Sequence, residues 1–102
     1  FPQNSFDLVT TFDVLEHIER PQLKKAVNET IRVSRKWILH KIYTYENKWI
    51  TYFHSKDFSD VSILSQSFWY NLFRTIDEIS MMRKSWVRLP SFIETLFLLR
   101  KK

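Results

Sequence analysis

The run Phe6 to Thr11, FDLVTT, is followed by a helical pattern and then by a second β-rich run, and this order constrains the fold most. FDLVTT is rich in residues that suit a pleated strand and lacks strict polar alternation, so it reads as a strand with both faces covered, the habit of a parallel sheet. The turn residues of PQNS precede it. From Pro21, which suits the first turn of a helix, Leu23, Ala26, Val27, Thr30, Ile31 and Ser34 recur at helical spacing. Lys24, Lys25, Asn28 and Glu29 fall on the other side, so a helix is expected over 21–34. KWILHKIYTY, residues 36–45, reads as the next strand, with Trp37, Leu39 and Lys41 on one face and Ile38, His40 and Ile42 on the other. A strand, a helix and a strand in this order make a right-handed βαβ unit.

Residues 44–64 show no clear period. A helix is expected from about Ser65, with Phe68, Trp69, Leu72, Phe73 and Ile76 along one side. MMRKSWV (81–87) and IETLFLLR (93–100) read as two antiparallel strands joined through RLPSF, with Pro90 at the turn. The whole is α/β with a mixed sheet edge, in one domain over 1–102.

Composition excludes several functions. The chain has no cysteine, so disulfides and thiolate metal sites are ruled out, and a reducing, cytoplasmic setting fits. It has no glycine, where average usage would give about seven. Loops that cradle phosphates need glycine for close backbone approach, so no such loop is built here. No apolar run reaches the ~18 residues of a membrane helix. The net charge of +5 permits an anionic partner but is met equally by a solvated basic face.

The first strand ends in an unusual cluster. Asp13, Glu16 and His17 lie within five residues, directly after Thr11 and Phe12. Asp13 is a candidate cap for a short helix running through Glu19. In an open α/β sheet, ligands bind beyond the carboxyl ends of the strands, which makes this stretch a candidate site wall. An imidazole titrates close enough to neutrality to take a proton, so His17 is the candidate general base. Three ionisable groups without a fourth do not define a metal centre, and no metal ligand is assigned. His40, mid-strand on an apolar face, reads as a core histidine. After the second strand, Tyr43, Tyr45, Trp49, Tyr52 and Phe53 gather around His54 in a long connection, where an acceptor pocket or a packed lid both fit.

FPQNSFDLVTTFDVLEHIERPQLKKAVNETIRVSR, residues 1–35, resembles class I S-adenosylmethionine-dependent methyltransferases, whose pattern runs approximately FPDNSFDLVTSFDVLEHI before a helix ending in RVLKPGG. IETLFLLRKK is similar to the last strand of that domain. The resemblance implies a Rossmann-like methyltransferase sheet with strand order 3-2-1-4-5-7-6, of which this chain would supply 4-5-7-6, parallel apart from its antiparallel last strand, with flanking helices. It implies S-adenosyl-L-methionine as cofactor, passing Thr11, Phe12, Asp13 and Val14, and a small-molecule acceptor near Tyr45, Trp49, Tyr52 and His54. The glycine loop and the acids that grip the cofactor would precede residue 1, so the chain is expected to be the C-terminal half of the domain, inactive alone, open along the free side of its first strand and prone to self-association. The family's KPGG turn is replaced by SRKW (34–37), and the stretch that often reads DPTH is DFSD (57–60), with Asp60 where the histidine would stand.

A second reading also fits: a basic, aromatic-rich interaction module for an acidic partner or single-stranded nucleic acid. Against nucleic acid stand the lack of a recognisable RNA-binding motif and aromatics that fall at core spacing.

Overall fold

Strand β1 spans Phe6–Phe12 and leads through a three-residue 3-10 turn, Leu15–His17, to helix α1, Arg20–Val33. Strand β2 is Ser34–Thr44, helix α2 Gln66–Arg74, strand β3 Ile79–Arg88 and strand β4 Ile93–Lys101. These elements come from a computed structural model that describes residues 1–44, 65–88 and 93–102. They form one four-stranded sheet in the order β1-β2-β4-β3. β1 runs parallel to β2, and β4 is antiparallel to both β2 and β3. The strand at Phe6–Thr11 lies parallel beside the strand at Ile38–Tyr43 as expected, with Phe6–Phe12 set against Ser34–Lys41, and Glu94–Leu99 pairs antiparallel with Ile38–Tyr43.

The helices and one face of the sheet enclose the core. Alternation places Ile38, His40, Ile42 and Thr44 of β2 beside Ile93, Thr95, Phe97 and Leu99 of β4, all buried. Against them pack Leu23, Val27 and Ile31 of α1 and Trp69 and Phe73 of α2. Leu23, Val27 and Ile31 are spaced by four, so one stripe of α1 is apolar while Lys24, Lys25, Asn28 and Glu29 stay in solvent. Phe73 sits edge-on to Phe97 at 5.0 Å, a favoured aromatic geometry. Each large apolar side chain buried here contributes about 1.5–3 kcal/mol.

Three expectations are corrected. β1 is not covered on both faces: Leu8 is 51% and Phe12 53% exposed on the sheet face away from the helices, while Val9 and Thr11 turn toward the core. β2 begins at Ser34, two residues early. With no glycine to terminate α1, the chain passes directly from helix to strand at Ser34, whose N–H still bonds the carbonyls of Thr30 and Ile31 and whose hydroxyl donates to Ile31 O at 2.9 Å. The helix after β1 is the short turn Leu15–His17, and Asp13 does not cap it. Val14 holds the capping position and makes no side-chain bond there.

α2 begins as expected, with the Ser65 hydroxyl accepting from the Phe68 N–H. It ends before Ile76, which nonetheless remains in the core. No helix among the described residues is long and apolar enough to cross a membrane.

Candidate functional site

The site grows out of the end of β1. Thr11 and Phe12 are the last paired residues of the strand, opposite His40 and Lys41 of β2. The Asp13 N–H donates to Lys41 O at 3.2 Å and closes the ladder. The chain then turns sharply, with Asp13 at φ 59°, in the left-handed region. Asp and Asn are the non-glycine residues that accept this conformation most readily, which explains an acid here in a chain without glycine.

The two faces of the sheet meet this turn with different chemistry. On the core side, Thr11 Oγ1 lies 2.6 Å from His40 Nδ1. His40 is 0% exposed and stacks on Phe73 at 5.5 Å. Burial lowers its pKa to about 4, so it is neutral at physiological pH. Its Nε2 has no hydrogen-bond partner among the described residues. On the open side, Lys41 Nζ lies 3.7 Å from Asp13 Oδ2 and 3.4 Å from Glu94 Oε1 of β4. Partial desolvation works against the Lys41 charge, but Asp13 and Glu94 outweigh it and raise its pKa. Tyr43, next on this face, is raised by burial and then by the same two carboxylates.

Of the residues expected to contact the cofactor, Thr11, Phe12, Asp13 and Val14 therefore form one continuous exit segment. Phe12 and Val14 are exposed, and Thr11 is tied to the core. His17 is exposed one turn further on, whereas Glu16 points inward and is fully buried. Asp13, Glu16 and His17 thus do not share an exposed face, and no group of three or more His, Asp or Glu side chains among the described residues is arranged to hold a metal ion. Tyr45, Trp49, Tyr52 and His54 lie outside the described residues, as do Phe53 and Asp57–Asp60. β2 ends at Thr44, at the same end of the sheet as Asp13, since the parallel register sets Phe12 beside Lys41.

Lys41 and Glu94 were not singled out from the sequence. A lysine alternating with apolar residues in a buried-strand pattern was the available signal for the first. The second required the β2–β4 register. The same holds for a buried polar group nearby, where Gln66 Nε2 donates to Thr95 Oγ1 at 2.9 Å and Thr95 Oγ1 lies 2.9 Å from Thr44 Oγ1. A solvent-open cleft of about 810 Å³ lies at the opposite end of the sheet, lined among others by Lys24, Asn28, Asp77 and Lys101, and takes in none of the strand-end residues.

With this geometry in place, comparison with known proteins is informative. Residues 1–36 match the model of a methyltransferase domain family, and this span contains all of β1, its exit turn and α1. The chain is similar in structure to MccD protein, with a TM-score of 0.73 and 13% identity, over 100% of this chain and 63% of that one. It is also similar to magnesium protoporphyrin IX methyltransferase from Synechocystis PCC 6803, solved with bound SAH, with a TM-score of 0.69 and 9% identity, over 94% of this chain and 45% of that one. No curated protein sequence matches the chain. The match to a methyltransferase domain covers about the first third of the chain, and the likeness to the two solved structures, which is one of fold, extends over nearly all of it. The chain spans between about half and two thirds of the length of these structural relatives.

Proposed function

We propose that this chain forms the C-terminal half of an S-adenosylmethionine-dependent methyltransferase that acts on a small-molecule acceptor. The observation that carries the reading is the exit of β1. The segment that matches the methyltransferase model ends its strand in a left-handed turn at the carboxyl edge of a parallel pair, where α/β sheets place their ligands. In this reading Thr11, Phe12, Asp13 and Val14 form one wall of the S-adenosyl-L-methionine site. Phe12 and Val14 offer apolar surface to the cofactor, and the backbone at Asp13 sets the path of the wall.

Methyl transfer needs an acceptor atom held in line with the sulfonium methyl, so most of the rate comes from proximity and orientation. His17, exposed beyond the turn, takes the acceptor's proton. Tyr45, Trp49, Tyr52 and His54 are assigned to the acceptor side because they follow in sequence the carboxyl end of β2. The glycine loop that grips the cofactor's far end is supplied by sequence outside the 102 residues.

The reading is tested by incubating the complete protein with methyl-labelled S-adenosylmethionine and a panel of small-molecule acceptors. Label transfer that falls at least about tenfold in His17→Ala supports it. Transfer only to protein or nucleic acid, or none despite cofactor binding, contradicts the small-molecule assignment. The rival reading as a basic interaction module has no comparable support, because the aromatics Trp69 and Phe73 are core residues.

A further inference from the structure

We propose that His40 is a positioning residue: together with Lys41 it clamps the exit of β1 from both faces of the sheet, so that Thr11 to Val14 present a fixed wall to the cofactor. The role assigned to that wall rests on the methyltransferase reading. The clamp itself rests on geometry alone.

Within the 102 residues the end of β1 is held by β2. The last residues of a strand fray unless side chains hold them. Two consecutive residues of β2 do so. His40 reaches Thr11 through the core face at 2.6 Å, and Lys41 reaches Asp13 across the open face at 3.7 Å. Between them, the Asp13 N–H meets Lys41 O. Neither anchor is loose. The His40 ring lies nearly parallel to Phe73, at 12°, and Phe73 is held by Phe97 and Trp69. Lys41 is drawn between Asp13 and Glu94.

The chemistry of the pair argues that it is more than packing. A Val–Phe pair at Thr11 and His40 would fill similar space with no polar atom to satisfy. The histidine instead leaves Nε2 buried without a hydrogen-bond partner among the described residues, and such an atom is costly to desolvate. What the protein gains is one directional bond at Thr11, two residues before the left-handed, non-glycine turn at Asp13. A conformation of that kind persists when its surroundings over-determine it.

Native-state hydrogen exchange on the ¹⁵N-labelled complete protein, without cofactor, tests the clamp. Thr11→Val removes the hydroxyl at a half-buried position, and Thr11→Ser keeps it. The Asp13 amide should exchange about tenfold faster in Thr11→Val and in His40→Phe, while the α2 amides change by less than about twofold. Thr11→Ser should restore wild-type exchange at Asp13. If Asp13 accelerates no more than the α2 amides in Thr11→Val, or if Thr11→Ser fails to restore it, His40 is an ordinary core residue and the proposal is overturned. Cofactor binding does not enter this measurement, so failure of the clamp and failure of the methyltransferase reading are separately visible.

Discussion

At the scale of single residues, burial decides the chemistry of His40. Folded, it takes a proton only near pH 4, because burial disfavours the charged ring; unfolded, it does so near 6.5. Above pH 6.5 it is neutral in both states and its contribution to stability is complete. As the pH falls from 6.5 toward 4, the unfolded chain gains a proton that the folded chain refuses, so stability is lost by about 3 kcal/mol across that window. Urea unfolding at a series of pH values should show this slope, and His40→Phe should flatten it. The group formed by Thr44, Thr95 and Gln66 gives a second expectation. Thr95→Val leaves the Gln66 amide without its acceptor in a buried site and should cost about 1–3 kcal/mol by urea unfolding. Adding Gln66→Leu should recover part of that loss, because the stranded donor is then gone. The sequence discloses His40 as a core residue through its place in the apolar alternation. It does not disclose Thr11 as its partner, since that contact depends on a register set by residues 29 positions apart. Asp13 reads as a helix cap in sequence but takes a left-handed turn in the structure, because aspartate serves both and nothing in its neighbours distinguishes the two.

At the scale of elements, β1 is the part that local patterning describes least completely. Its β-rich composition announces a strand, and its pairing with β2 follows from the intervening helix. Its exposure does not follow, because composition reports what a strand is suited to and not what covers it. Leu8 and Phe12 stand open on the sheet face away from the helices, and Phe1 and Phe6 are exposed where they pack against each other at 4.9 Å. An apolar edge with unfilled ladder positions is a template for pairing with another strand. The 102 residues alone should therefore self-associate at tens of micromolar, and sedimentation velocity should report species above monomer. Leu8→Lys, which places a charge on the open face, should return the protein to monomer with stability changed by less than about 0.5 kcal/mol. A dimer unaffected by Leu8→Lys would place the association elsewhere, with Met82, Trp86 and Val87 on β3 as the next exposed apolar group. β2 starts at Ser34, two residues before the pattern predicts, because without glycine to terminate α1 the chain enters the strand directly.

At the scale of the whole molecule, the sheet order β1-β2-β4-β3 and the position of the strand-end segment hold the account together. The β1–β2 and β3–β4 pairings are legible because each has a physical signature, a helical period between parallel strands and a proline-marked turn between antiparallel ones, whereas the place of β4 beside β2 is implied by the family resemblance alone. The proposed acceptor side is not legible beyond its aromatic composition, since Tyr45, Trp49, Tyr52 and His54 fall in a stretch of sequence without periodicity. The central claim is that the 102 residues carry one wall of a cofactor site whose other wall, with its glycine loop, lies in the remainder of the domain. Titration calorimetry with S-adenosylhomocysteine tests it most directly, performed in parallel on the 102-residue chain and on the complete protein. The account predicts micromolar binding to the complete protein and no measurable binding to the 102 residues. Micromolar binding to the monomeric 102-residue chain, or no binding to the complete protein, would contradict it.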